Sequence, residues 1–291
     1  MQKPFFSVII PTLDEEKYLP SLLRDLQKQT FHEYEIIIVD GKSKDRTQEI
    51  VRVFTQEHPQ TMLLISKKRN VGMQRNFGAK YAKGSMLIFL DADTRIPRYF
   101  LEGVHYHLMR RMVDAWATEP QADTNDAKDK LSLRLYNSIN DVALLVKKPF
   151  IVGACIGCKK SVFMALHGFD ETLAIGEDWD FIHRLLVAPY SFTIFSDPHF
   201  VFSFRRFRKE GMFHMINHNF ISMLRAVLNE KITEPVASYP MLGGSYFMTP
   251  KKKSPFALSM KNFAMIFAKM SKQQKKRVQT ILNQLKTYFP E

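Results

Sequence analysis

Four apolar runs of strand length lie between Phe6 and Leu90, and the stretches separating them carry apolar residues at helical spacing. Phe6-Ser-Val-Ile-Ile10 is a β-branched run halted by Pro11, and after it Leu19, Leu22, Leu23 and Leu26 recur on one helical face. Glu35-Ile-Ile-Ile-Val-Asp40 is followed by Ile50, Val51 and Phe54, and Met62-Leu-Leu-Ile65 leads into a helical pattern from Gln74 to Ala82. The fourth run, Met86-Leu-Ile-Phe-Leu90, stops at Asp91. Strands that are apolar throughout, rather than alternating, must be covered on both faces, which is the condition of a mainly parallel sheet. The fold class expected is therefore α/β, with helices on both sides of the sheet.

Ligands of such sheets gather outside the carboxyl ends of the strands. Polar clusters occupy those ends here: Thr12 and Asp14 after the first run, Asp40 after the second, Arg69 and Asn70 after the third, Asp91 and Asp93 after the fourth. In Leu90-Asp-Ala-Asp-Thr94 two carboxylates flank one small residue, and on an extended backbone they would project together with Ala92 leaving room beside them. Such hard oxygen ligands suit Mg2+ or Mn2+ carrying a diphosphate. The competing reading is a turn in which Asp ends the strand and caps the next segment.

At 291 residues the chain can bury one substantial core, with or without an appendage. A net charge of +13 implies attraction to something anionic, whether nucleic acid, lipid or a phosphorylated substrate, and does not choose among them. The two cysteines, Cys155 and Cys158, supply half a zinc site with no second pair, and read as reduced, small, buried residues. No signal peptide precedes the first apolar run, and no stretch of about 18 apolar residues is available to span a membrane. The expected location is cytoplasmic, or peripheral on the inner face of the cell membrane. The segment from Glu119 to Lys130, poor in apolar residues, reads as a mobile loop.

The ordered set SVIIPTLDEE, VDGKSKDRT, NVGMQRNFGAKYAKG, LDADT and GFDETLAIGEDWDF with Arg184 behind it resembles glycosyltransferase family 2, from about Ser7 to Arg184. That resemblance implies a GT-A fold, a Rossmann-like nucleotide-diphospho-sugar transferase architecture, and inverting transfer of a sugar from a nucleotide-sugar donor, usually a UDP-sugar, with Mn2+ or Mg2+ as cofactor. It places Pro11, Thr12, Asp14, Asp40, Asn70, Arg75, Asp91, Ala92 and Asp93 at the donor, with Thr12 and Asp40 on the edge of the base and Arg75 facing the nucleotide. Asp91 would lie near ribose and metal, and Asp93 would ligate the cation. Glu177 and Asp178 match the family's acidic pair, Asp178 being the implied catalytic base and Asp180 the fallback. Arg205, Arg206 and Arg208 would clamp the diphosphate or an anionic acceptor, or else form a solvated basic face. His199 and His214 flank that motif. The chain departs from the family's V-D-D-G-S in having Val39-Asp-Gly-Lys-Ser43, and has Asp14 where Asn is common.

The expected division is a catalytic domain over residues 1–235 and a basic, amphipathic helical region over 236–291. Ser254-Pro255 reads as a helix start, with Phe256, Leu258, Met260, Phe263, Ile266, Phe267 and Met270 behind it. Such a helix would lie on an anionic membrane surface, on the catalytic domain or on a second subunit; on a membrane it would bring the enzyme to a lipid-linked or glycan acceptor hydroxyl. Two rivals fit less well. A sugar-nucleotide nucleotidyltransferase needs a basic, Gly-rich loop where this chain has Pro11-Thr-Leu-Asp-Glu-Glu16, and a nucleic-acid-binding protein leaves the acid clusters unexplained. No nucleic-acid partner is expected.

Overall fold

Within each apolar run, alternate side chains go to opposite sides of one sheet. Val8, Ile10, Ile36, Ile38, Ile88 and Leu90 enter one core, and Ile9, Ile37, Val39, Leu87 and Phe89 enter the other. The structure, a computed structural model, describes residues 3–145, 151, 153–210, 233 and 243–248.

The strands are β1 (Phe6–Thr12), β2 (Tyr34–Asp40), β3 (Thr61–Ile65), β4 (Met86–Leu90), β5 (Ala115–Ala122), β6 (Cys155–Lys159) and β7 (Phe192–Phe202). They form one sheet in the order β3-β2-β1-β4-β6-β5-β7. The first four named in that order are mutually parallel, β6 is antiparallel to both its neighbours, and β5 and β7 are parallel to each other. The helices are α1 (Leu19–Gln27), α2 (Thr47–Glu57), α3 (Val71–Tyr81), α4 (Phe100–Arg110), α5 (Ala127–Leu145), α6 (Lys160–Ala165), α7 (Glu177–Val187) and α8 (Arg205–Glu210). Leu19, Leu22, Leu23 and Leu26 of α1, Val51 of α2 and Phe100, Leu101 and Val104 of α4 fill the first core. Ala79 of α3, Val162 and Phe163 of α6 and Phe181, Ile182 and Leu185 of α7 fill the second.

β1 continues through Pro11 to Thr12, past the stop expected there. Pairing with β4 has already ended at Ile9 and Phe89, so Pro11 sits opposite Val39 of β2 alone and its missing N–H breaks no ladder on the β4 side. Of the loop expected from Glu119 to Lys130 only residues 123–126 form a connection; the residues before them end β5 and those after them start α5. β5 leaves β6 after Ala117, and past a register shift Pro120, Gln121 and Ala122 pair only with Phe200, Val201 and Phe202. A strand extension with one neighbour needs no apolar run, which is why its composition reads as a loop.

The antiparallel entry of β6 matters for the site. Cys155 opposes Leu90, so the residues just before β6 stand at the carboxyl end of β4. Cys155 and Cys158 are both buried and free, and lie in opposite cores, so they cannot act as a pair. Burial pushes the Cys155 thiol up to about 12 and raises Cys158 as well, as expected for inert structural cysteines.

Two compact units make up the chain: Met1–Phe204 with Thr233–Thr249, and Arg205–Ile232 with Pro250–Glu291. The described part of the second is α8, where Arg206 and Glu210 approach to 3.9 Å. His214 and the apolar series from Phe256 to Met270 lie outside the described residues.

Candidate active site

At the carboxyl ends of β1 and β2 the polar side chains form one clasp. Asp40, fully buried, accepts from Thr12 Oγ1 at 3.2 Å, from the Ser43 amide at 2.9 Å, from the Ser43 hydroxyl, and from Gln48 Nε2 at 2.7 Å. Four donors on one carboxylate fix its orientation. Asp14 is left-handed, with φ of 53°, and its Oδ1 accepts from the Lys44 amide at 2.6 Å. That conformation suits Asn and Asp alike, because a short polar side chain can bond locally. The amides of Asp14, Glu15 and Glu16 donate to Ser43 Oγ, Thr47 Oγ1 and Asp45 Oδ2 at 2.8, 2.8 and 3.0 Å. A loop whose amides are committed to side chains, and which carries three acids, is no triphosphate cradle.

One contributor to this end escapes sequence reasoning. Gly244 N donates to Leu13 O at 2.9 Å, and a Cβ on Gly243 or Gly244 would collide with the carbonyl of Leu13 or Asp14. The Gly-Gly dipeptide is the only available signal, and nothing in it points to β1.

Beyond β4 the backbone turns. The Thr94 amide and hydroxyl both bond the Asp91 carbonyl, at 3.1 and 2.7 Å, so Asp91 to Thr94 is a turn rather than an extended segment. The turn reading and the metal reading are thus compatible. Ala92 is buried, while Asp91 and Asp93 are half-exposed at the carboxyl end of β4, the central strand. Among the described residues no three His, Cys, Asp or Glu side chains are grouped to cage an ion. Two half-exposed carboxylates fit the mode in which Mg2+ or Mn2+ takes one or two protein oxygens and completes its shell with phosphate and water. Asp91 and Asp93 are the residues that would hold it.

Asp91 continues the β4 residues that face the second core, and so meets α3. Arg75 NH2 donates to Asp91 Oδ1 at 2.8 Å and to Gly153 O at 2.9 Å, and NH1 donates to Glu177 Oε1 at 2.8 Å. α7 opens at Gly176, whose φ of 85° lets the chain turn sharply into the helix, with Glu177, Asp178 and Asp180 in its first turn. The half-buried Asp178 accepts from its neighbour's amide, Trp179 N, at 2.9 Å, and its carboxylate packs where a Gly153 side chain would sit. Burial, and next the negative charge of Glu177, push Asp178 up to about 7 against the opposing pull of Arg75. Asp180 instead pairs with Arg184 at 2.7 Å, and Arg184 also bonds the carbonyls of Leu166 and Gly168, so Asp180 serves the helix and its approach loop.

Asn70 caps α3, accepting from Met73 N at 2.7 Å and donating to Leu173 O at 3.1 Å. Asn76, not anticipated as a site residue, accepts from Phe169 N at 2.9 Å and donates to Phe169 O at 2.8 Å, holding the segment that leads to α7. Arg205, Arg206 and Arg208 all lie in α8, in the second unit. His199 lies on β7, half-buried, with Nδ1 lacking a hydrogen-bond partner.

The sequence pattern of "Glycosyl transferase family 2" matches residues 7–166, more than half of the chain. The chain belongs to glycosyl transferase family 2. An "Uncharacterized glycosyltransferase" of Haemophilus influenzae is 29% identical over 203 residues, covering 64% of this chain and 63% of that protein. Poly(ribitol-phosphate) beta-N-acetylglucosaminyltransferase TarS of Staphylococcus aureus is 36% identical over 100 residues, 33% of this chain and 18% of its own length. The chain thus spans less than two thirds of these relatives. Among solved structures, S. aureus TarS 1-349 in complex with UDP-GlcNAc aligns with a TM-score of 0.59 at 19% identity, covering 94% of this chain and 78% of that one. Mannosyltransferase PcManGT from Pyrobaculum calidifontis in complex with GDP-Man and Mn2+ aligns with a TM-score of 0.62 at 18% identity, covering 100% and 82%. For this family 2 chain these likenesses establish the GT-A fold. Among the described residues no helix is long and apolar enough to cross a membrane.

Proposed function

We propose that this chain is an inverting glycosyltransferase, moving a sugar from a nucleoside diphosphate donor, a UDP-sugar by preference, to the hydroxyl of a lipid-linked or glycan acceptor. The observation that carries this reading is the meeting of Asp91, from the end of β4, with Glu177, from the start of α7, on one guanidinium, although 86 residues separate them in the chain.

Each part has a task. The Thr12–Asp40 clasp, closed by Ser43 and Gln48, would fix the floor on which the base of the nucleotide lies, with no free carboxylate edge of Asp40 turned toward it. A divalent cation held by Asp91 and Asp93 would neutralise the departing diphosphate. Asp178 accepts the acceptor's hydroxyl proton, its affinity near 7 being matched to work at neutral pH. The oxygen so released forms the new bond to the anomeric carbon while the bond from that carbon to the diphosphate oxygen breaks, and the electron pair leaves with the diphosphate. Attack from the face opposite the leaving group inverts the anomeric centre. The basic sequence of the C-terminal region supports an acceptor at an anionic membrane surface, with the enzyme peripheral on the cytoplasmic side.

The test is release of nucleoside diphosphate from a panel of UDP-, GDP- and dTDP-sugars with Mn2+ or Mg2+, offered with lipid and glycan acceptors. One donor should be turned over, with loss of turnover in EDTA and recovery on adding the metal back. Inertness toward the whole panel, or turnover indifferent to EDTA, would overturn the reading or its metal dependence respectively.

A further inference from the structure

The family resemblance gives Arg75 to the nucleotide, and the geometry gives it something else to do. Its side chain is 3% exposed. NH1 is taken by Glu177, and NH2 by Asp91 and the Gly153 carbonyl. The ring of Phe169 covers the group, 5.4 Å from Cζ. Nε is buried with no hydrogen-bond partner. A guanidinium enclosed by two carboxylates, a carbonyl and an aromatic ring presents no open edge to a phosphate or a base. The neighbouring residues of α3 behave alike: Gln74 Nε2 bonds the carbonyls of Thr12 and Val39 at 2.9 and 2.7 Å, and Asn76 bonds Phe169. Gln74-Arg-Asn76 is thus a three-residue clasp joining β1, β2, β4, the entry to β6 and the approach to α7.

We propose that Arg75 is a positioning residue, a buried strut that fixes Asp91 against Gly153 and the first turn of α7 and so sets the spacing between the cation end and the base end of the site without touching the nucleotide. This rests on the glycosyl-transfer reading above. Lys cannot substitute, because a single ammonium on a flexible stem cannot hold two carboxylates and a carbonyl in one plane. Asp178 feels the strut directly, since the Arg75 charge opposes the burial that raises its proton affinity.

The test compares Arg75→Gln, Arg75→Lys, Glu177→Gln and the double variant Arg75→Gln with Glu177→Gln in the full chain. Should Arg75→Gln strand a buried carboxylate and fail to fold, the double variant, which leaves Glu177 without charge, carries the measurement. With the donor that the wild type turns over, kcat should fall by about 100-fold or more in every Arg75 variant, Lys included, and the double variant should fall well below Glu177→Gln alone. Donor KM, and UDP affinity measured in EDTA, should stay within about threefold of wild type. A tenfold or greater loss of UDP affinity with kcat kept would make Arg75 a nucleotide contact and overturn the proposal; so would full activity in Arg75→Lys. A second arm needs no turnover: backbone amide exchange in Arg75→Gln, or in the double variant, should speed by about tenfold or more at residues 153–155 and 177–181, with the β1 and β2 amides unchanged. Unaltered exchange at both segments would overturn the strut. Wild-type protein inert toward every donor would refute the functional reading while the exchange arm still decides this one.

Discussion

A carboxylate that shares its surroundings with another carboxylate and little water holds its proton longer than a free one, and Asp178 is in that position beside Glu177. Two consequences oppose each other. In the proposed transfer Asp178 acts as base only when ionised, so kcat/KM should fall as pH drops through about 7. For stability, the folded affinity lies above the ordinary 3.8, so the folded state is favoured by the protonated form. Its contribution is fully present below 3.8 and is lost as pH rises through about 7. Asp178→Asn should therefore lower transfer by about 10²- to 10⁴-fold, leave donor binding intact, and stabilise the fold at pH 8 by about 1–2 kcal/mol after allowance for solvent screening. That gain should shrink toward pH 5. Melting curves of both proteins at pH 5 and pH 8 check the sign, and a variant less stable than wild type at pH 8 would refute the assigned cause.

At the scale of elements, α3 carries the site although its sequence is a poor advertisement for a buried helix. Gly72, Gln74, Arg75, Asn76, Gly78 and Ala79 are its buried residues, mostly small or polar. Gly78 lets the helix rest on β1 and β2, where an added Cβ would meet Ile9 at 2.6 Å and Val39 at 3.0 Å. Gly78→Val should destabilise the protein by about 1–3 kcal/mol through overpacking, read as a lower urea midpoint with unchanged slope. It should also weaken transfer, since Gln74, Arg75 and Asn76 move with the helix; a variant that unfolds at the wild-type midpoint would show that α3 stands off the sheet. The contrast with β1, β2 and β4 explains what could be read from the chain. Their side chains are apolar because both faces are covered, and periodicity alone locates them. The carboxylates at their ends were legible because the apolar runs stop at them, the second at Asp40 and the fourth at Asp91. Arg75 was legible as a residue but not as a strut, because its partners Asp91, Gly153 and Glu177 come together only when β6 enters antiparallel beside β4. The end of β5 and the Gly243-Gly244 contact were illegible for a related reason: a strand paired on one side, and a glycine admitted for lack of a side chain, leave no periodic trace.

For the whole molecule, charge is distributed unevenly along the chain. Residues 251–291 contain ten Lys or Arg and the single acid Glu291, leaving only four of the thirteen net positive charges on the first 250 residues. The first 250 residues are thus nearly balanced in charge, and most of the net positive charge lies in residues 251–291. A lipid surface bearing acidic headgroups draws such a segment by about 1 kcal/mol for each cation near it, an effect screened over about 8 Å at physiological salt. Lys251-Lys-Lys253 and Lys275-Lys-Arg277 supply six of these charges in two clusters, with Phe263, Ile266 and Phe267 between them to add apolar contact. Flotation with vesicles containing phosphatidylglycerol should recover the full chain at low salt and progressively less as salt rises, whereas neutral phosphatidylcholine vesicles should recover little. A chain ending at residue 250 should lose flotation while keeping turnover of a water-soluble acceptor, provided its melting transition matches the parent's. Equal flotation of the two proteins would place the membrane affinity elsewhere, and loss of soluble turnover with the fold intact would assign the segment to the acceptor site rather than to the lipid.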